Sequence, residues 1–161
     1  MRITLETWGA GDIAVLRRAN TPELTRFLGG PETEEALAQR HAEYLAPGDG
    51  ARMFRVEVDG AAAGYAGWWD EEHDGEPVYE VGCVIEPGWQ GQGVATIVLR
   101  DLVRRAGADG RPVVGYANIE NAASNALCAH VGFSLQGTGL FPAAAGAGPT
   151  AVNVWMIRPP R

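Results

Sequence analysis

Glu80-Val-Gly-Cys-Val-Ile-Glu-Pro-Gly-Trp-Gln-Gly-Gln-Gly-Val-Ala-Thr96 decides how this chain is read. It leaves an apolar run, passes a glycine-rich turn and enters an amphipathic segment. Val78 to Ile85 reads as a strand. From Gly91 the apolar residues Ala95, Val98, Leu99, Leu102 and Ala106 recur at helical spacing, giving a helix to about Ala106. The first turn of a helix has unpaired N–H groups and the positive end of the dipole. Glycines there let the backbone approach a phosphate. Gln90 and Gln92 offer neutral donors, and Thr96 a hydroxyl. A Walker loop would need Gly-Lys-Ser/Thr, which the chain lacks. A dinucleotide fingerprint would need a third glycine and a first βαβ strand. Here Gly91-x-Gly93-x-x-Thr96 follows an apparent antiparallel meander. On the turn alone, an anion site and a ligand-free strand–helix turn remain about equally open.

Outward from the turn, the pattern is mixed α/β. Arg2 to Thr7 alternates and reads as a first strand. A helix over about Gly11 to Ala19 follows, then a second opened by Pro22 and stopped by Gly29-Gly30-Pro31. Thr33 caps a third, with Glu34 and Glu35 where the dipole favours anions. It runs to about Ala46 and ends at Pro47-Gly48. Met53–Val58 and Ala63–Trp69 flank Asp59-Gly60, a hairpin signal. Asp70 to Pro77 reads as a charged loop. Val113–Tyr116 is a short strand, Asn121 caps a helix ending near Val131-Gly132, and Phe133–Gln136 and Val152–Ile157 are the last strands. Ala143 to Pro149 reads as a mobile loop between those two. The strand–helix–strand unit in the middle implies one parallel pair with a right-handed crossover. The rest does not alternate as a doubly wound sheet would.

Length fits one domain over residues 1–161, with enough chain to bury a core without metals or disulfides. The 46% hydrophobic and 20% charged content is ordinary and argues against disorder. A net charge of −7 argues against nucleic acid as partner and is compatible with a cationic substrate. Cys83 and Cys128 form no Cys-x-x-Cys pair, and His41, His73 and His130 are scattered, so no metal is expected. The polar start and the lack of an 18-residue apolar window predict no signal peptide, no membrane association, and a cytoplasmic protein with reduced thiols.

A second stretch supports the first: Asn121-Ala-Ala-Ser124-Asn125-Ala-Leu-Cys128-Ala-His-Val-Gly132-Phe133. Together the two resemble the signatures of the GNAT superfamily of N-acetyltransferases. Gln90-x-x-Gly93-x-Ala95 matches its Arg/Gln-x-x-Gly-x-Gly/Ala motif, and the later stretch its Asn-x-x-Ser/Ala-x-x-x-Tyr-x-x-x-Gly-Phe motif. The serine variant resembles the branch with the ribosomal-protein N-terminal acetyltransferases. The likeness is clear over about Val78 to Phe133. It implies a mostly antiparallel sheet of about seven strands flanked by about four helices and splayed between the fourth and fifth strands. It implies acetyl-CoA as co-substrate, its pyrophosphate wrapped by main-chain N–H groups of Gln90, Gly91, Gln92, Gly93, Val94, Ala95 and Thr96. Backbone near Cys83, Val84 and Ile85 would pair with pantetheine. Asn121, Ser124 and Asn125 would complete the site. Asn121 is also a good N-cap, Gly132 a helix C′ glycine and Phe133 a core residue on any reading.

The implied reaction is direct attack of a primary amine, on a small molecule or a peptide N-terminus, on the thioester. An α-amine with pKa about 8 is neutral roughly one time in ten at pH 7, and a lysine amine less than one time in a thousand. Glu80 is the candidate base, because a carboxylate within a mid-sheet strand is costly unless paired. A bland alternative pairs it with an Arg such as Arg55; Glu76 and His73 are weaker candidates for the base. Ser124 occupies the position that can protonate the departing thiolate. Cys128 departs from the usual tyrosine acid and reads as a small buried hydrophobe. With a thiol pKa of roughly 8.5, the thiolate leaves readily in any case. The resemblance implies an acceptor site near residues 20–45 and 138–152; Trp68 and Trp69 alternate, so only one could face it, and core packing for one with partial exposure for the other is the favoured reading. The non-enzymatic alternative is an acyl-CoA-binding sensor or interaction module. The family resemblance makes a homodimer compatible with the chain.

Overall fold

A computed structural model describes residues 1–141 and 148–160. The expected loop at Ala143–Pro149 lies mostly outside them. Seven strands form one sheet in the order β1-β2-β3-β4-β5-β7-β6. They are β1 (Ile3–Thr7), β2 (Ala51–Val58), β3 (Ala61–His73), β4 (Glu76–Ile85), β5 (Val113–Asn118), β6 (Ser134–Phe141) and β7 (Thr150–Ile157). Every pairing is antiparallel except β4 with β5. Four α-helices flank the sheet: α1 (Ile13–Ala19), α2 (Glu34–Leu45), α3 (Val94–Ala106) and α4 (Ala122–Val131).

Strand alternation sorts side chains to two faces. On one, Phe54, Val56, Val81 and Ile85 pack against Val98, Leu99 and Leu102 of α3 and Cys128 of α4. On the other, Met53 joins Trp8, Val15, Leu16 and Leu37 beneath α1 and α2. The helix caps follow the sequence: Thr33 accepts from Ala36 N–H at 3.2 Å, and Asn121 from Ser124 N–H at 3.1 Å.

Two elements differ from expectation. Thr21 to Gly29 is not a helix but a run of turns. Thr25 Oγ1 donates to Thr21 O at 2.6 Å, and Thr21 Oγ1 accepts from Leu24 N–H at 3.2 Å. Thr25 N–H makes one helical bond, to Thr21 O at 3.0 Å, but Thr25 O then accepts from Leu28 N–H and Gly30 N–H, so the ladder breaks into turns after its first bond. The loop is closed by Asn20, whose amide both donates to Glu32 O and accepts from Glu32 N–H. The charged stretch 70–77 is not a loop but the tip of a long hairpin, with β3 running to His73 and β4 starting at Glu76. Asp74 and Gly75 turn it with φ of 49° and 78°, as Asp59 and Gly60 do with 50° and 84° in the first hairpin. The same Asp-Gly signal was present in both places.

β4 and β5 pair only through Tyr79↔Val113 and Glu80↔Val114, whereas β4 pairs with β3 along its whole length. Beyond Glu80 the two parallel strands diverge. The functional residues surround that divergence.

Candidate acyl-CoA site

The turn after β4 begins with a short 3-10 turn, Pro87–Trp89, whose approach is pinned by Glu86. Arg18 of α1 grips the Glu86 carboxylate at 2.9 and 3.2 Å, tying α1 to the turn. Gly91 and Gly93 take φ of 75° and 82°, a conformation that L side chains rarely adopt. Nothing lies within 4 Å of where their Cβ atoms would sit, so conformation demands the glycines here, not space. Trp89 and Gln90 N–H groups bond within the turn, and the first helical bond is Ile97 N–H to Gly93 O. Among the described residues, the N–H groups of Gly91, Gln92, Gly93, Val94, Ala95 and Thr96 have no protein acceptor. Six consecutive amides at a helix N-terminus form a row of free donors suited to an anion.

The glutamines do not join that surface with their side chains. Gln90 Nε2 donates to Ile85 O at 2.8 Å, and Gln92 Nε2 to Gly88 O at 3.3 Å. Each satisfies a carbonyl of β4 or the turn, so the expected glutamine donors serve the loop, while the backbone amides and the Thr96 hydroxyl have no protein partner among the described bonds.

Along β4 the pattern alternates. Glu86 N–H bonds Ala63 O beside β3, and Tyr79 N–H bonds Pro112 O on the β5 side. Cys83 and Ile85 therefore direct their backbone groups into the divergence, while Val84 directs its own toward β3. Of the three residues expected to pair with pantetheine through the backbone, Val84 is excluded by this parity. Gln90 already occupies the Ile85 carbonyl, which leaves the Cys83 groups and the Ile85 N–H.

α4 starts where β5 ends, across the divergence from the turn. Asn121 caps it and is half-buried. Ser124 Oγ makes no hydrogen bond among those described, so its hydroxyl is free for a ligand. Asn125 is different. Its Nδ2 donates to Asn118 O and Asn121 O, both at 2.9 Å, and its Oδ1 accepts from Asn153 Nδ2 and Trp155 Nε1, also at 2.9 Å. Two donors and two acceptor sites are an amide's full capacity. The expectation that Asn125 contacts coenzyme is corrected: it ties α4 to β5 and β7.

Cys128 is buried beside Gly115 and Phe133. Burial pushes its thiol up to about 11, which suits a core hydrophobe. The half-buried Cys83 thiol is also pushed up by desolvation.

Glu80 faces away from α3, on the side of Trp69, its cross-strand partner. Arg55 does not pair with it. That guanidinium binds Asp12 at 2.8 Å and Glu57 at 3.3 Å instead. Burial, and then the nearby negative charge of Glu71, push the Glu80 carboxyl up to about 7, with the Trp69 indole drawing it partly back. Trp69 itself lies over Gly82, where a Cβ would come within 2.9 Å of its ring. Trp68 turns to the opposite face and packs on Phe54 at 5.6 Å. Glu76, the weaker base candidate, is gripped by Arg158 at 2.8 and 2.9 Å, which holds its carboxyl below the usual range. His73 sits near the hairpin tip, 3.5 Å from Asp74. Among the described residues, no three His, Cys, Asp or Glu side chains are grouped to hold a metal ion. Glu80 and Ser124 thus flank the divergence from opposite faces of the sheet.

The turn, the divergence and the flanking helix place the chain in a recognised class. Residues 2–134 match the family model "Acetyltransferase (GNAT) domain", and the chain belongs to that family. No curated protein matches it at significant sequence similarity. Its fold is shared with solved structures. An acetyltransferase from Salmonella typhimurium that modifies the N-terminal serine of a 50S ribosomal subunit protein superposes with a TM-score of 0.81 at 18% identity, covering 98% of this chain and 95% of that one. Spermidine N-acetyltransferase from Vibrio cholerae, solved with CoA and spermine, gives 0.79 at 17% identity, covering 97% and 95%. A putative acetyltransferase from Salmonella typhimurium with its cofactor acetyl-CoA gives 0.71 at 22%, covering 97% and 93%.

Proposed function

We propose that this protein is an N-acetyltransferase that moves an acetyl group from acetyl-CoA to a primary amine. The observation that carries the reading is the row of six unpartnered amides from Gly91 to Thr96 beside a parallel strand pair that diverges after Glu80. The amides would hold the pyrophosphate, and the Cys83 backbone with the Ile85 N–H would pair with pantetheine. Bound acetyl-CoA supplies the activated acetyl group. Asn121 contributes its position at the start of α4, and the Ser124 hydroxyl is placed to give a proton to the leaving thiolate.

Glu80 is the base. With its carboxyl pushed up to about 7, it is half ionised near neutrality and can take a proton from an incoming ammonium. Arg55 and Arg158, spent on other carboxylates, do not compete for it. The acceptor is a small-molecule amine or a peptide N-terminus. Two free thiols favour a cytoplasmic enzyme.

The test is release of free coenzyme thiol over a panel of amines, with wild type and Glu80→Gln, from pH 6 to 9. The wild-type rate should rise through about pH 7 as the carboxylate forms. Glu80→Gln should lose that inflection and fall roughly 100-fold at pH 7. Equal rates and equal profiles would remove Glu80 as base. Tight binding of acetyl-CoA with no thiol release for any amine would favour the non-catalytic acyl-CoA module, a reading for which the buried Cys128 speaks.

A further inference from the structure

A cavity of about 650 Å³ lies on the Glu80 face of the sheet, between the β3–β4 hairpin tip and the β6–β7 pair. Its size is that of a small-molecule site. The wall is apolar and aromatic: Tyr116 meets Phe141 edge-on with ring centroids 4.8 Å apart, beside Val154 and Met156. The rim carries three carboxylates, Glu71, Asp74 and Glu76, against one guanidinium, Arg158. Arg158 and Glu76 form a two-point pair and cancel. Glu71 accepts from the backbone N–H of Glu72 at 3.0 Å, and Asp74 lies 3.5 Å from His73 Nε2. No Arg partner is described for either carboxylate.

We infer that the acceptor carries a second positive charge, separated from the reacting amine by an apolar spacer that lies on the Tyr116–Phe141 wall while the distal cation sits at Glu71, with Asp74 adding to the negative charge around it. This rests on the reading of Glu80 as the base. Strand geometry sets the spacing. Glu71 pairs with Val78, two residues from Glu80, which is a diagonal of roughly 7–8 Å. Asp74 follows in the turn beyond β3, at a tip whose His73 ring stands 6.3 Å from that of Tyr116. A monoamine of the same length leaves both carboxylates unanswered. Aromatic faces accept methylenes and cations alike. Glu71 also acts on the chemistry beside it, since its charge raises the carboxyl of Glu80 and the hydroxyl of Tyr116.

The experiment compares cadaverine with n-pentylamine, equal in length and differing in the second amine. Thiol release is measured at low salt for wild type and for the double variant Glu71→Gln/Asp74→Asn. Both sites are exposed on the hairpin tip, and asparagine tolerates the left-handed turn at 74, so the variant should fold. Counted per amine group, since cadaverine offers two, wild type should favour cadaverine in kcat/KM by about fivefold, an exposed-pair effect that salt weakens. The ratio should fall to about one in the double variant. The ratio is the readout because any shift at Glu80 affects both amines equally. A wild-type ratio of one, or a preference that survives in the double variant, overturns the inference while leaving the transferase reading intact. If no amine releases thiol, the transferase reading itself fails. Calorimetric binding of the same two amines to wild type then judges the cavity, and equal affinities overturn the dication site as well.

Discussion

The turn at 86–96 and the helix start at 121–125 are both rich in hydrogen-bonding groups, yet those groups point in opposite directions. In the turn, the side chains are spent inward: Gln90 and Gln92 satisfy carbonyls of their own loop, and six backbone amides are left without protein partners. At the helix start, the Asn121 Oδ1 and the whole Asn125 amide are spent on the N-cap, on the end of β5 and on β7, and among the described bonds the Ser124 hydroxyl and the Asn121 Nδ2 are left over. One region offers its backbone to a ligand and uses side chains to shape the loop. The other uses side chains to join three elements. The lesson is that a motif residue can be retained for the frame rather than for contact.

Four substitutions sharpen or break this contrast. Asn125→Ala should have the largest effect, and on stability. It orphans the Asn153 amide and the Trp155 indole N–H and takes one of two donors from each of the Asn118 and Asn121 carbonyls, and should cost about 3 kcal/mol. In the folded protein at low temperature, acetyl-CoA affinity should stay within about threefold of wild type. A tenfold loss of affinity at unchanged melting temperature would instead put Asn125 on the ligand. Gly93→Val should do the reverse. A β-branched residue at φ of 82° is strained by about 1–3 kcal/mol, and the helix entry must shift to relieve it. Calorimetry should show acetyl-CoA binding weakened at least tenfold. Wild-type affinity in that variant would mean the amide row is not the cradle.

Gln90→Ala removes the donor to Ile85 O and should cost about 1 kcal/mol in denaturant unfolding. Its affinity should fall only a few-fold, because the side chain shapes the turn without facing the anion. A loss as large as that of Gly93→Val would show the amide reaching the ligand. Ser124→Ala should be smallest: a drop in kcat of at most about tenfold with unchanged affinity, because a thiolate leaves readily without a strong acid. A far larger drop would make the hydroxyl indispensable and change the account of the α4 region.

Much of this was legible in local sequence. The Asp59-Gly60 hairpin, the Thr33 and Asn121 caps and the α3 face depend on near neighbours, and each stands where its residues put it. The errors share a cause. Pro22 suits a helix start, but Thr25 O takes the N–H groups of Leu28 and Gly30 and the Asn20–Glu32 clasp closes the segment into turns. In the 70–77 stretch, charge masked a second Asp-Gly turn. The partners of Arg55, Gln90 and Asn125 depend on which residues the sheet brings close, and residue type alone does not reveal that.

What the sequence determined by itself is the family and the backbone of the turn: Gly91 and Gly93 are needed for left-handed φ, and that requirement is local. Only the tertiary structure decided which groups remain free. The parity of β4 turns Cys83, and not Val84, into the divergence. The sheet register places Glu80 beside Trp69 and away from Arg55. β7 fills the last acceptor sites of Asn125. A hydrogen-bonding group is available to a ligand only when no nearer protein group has claimed it, and in this fold the nearer groups lie up to 30 residues or more away in sequence.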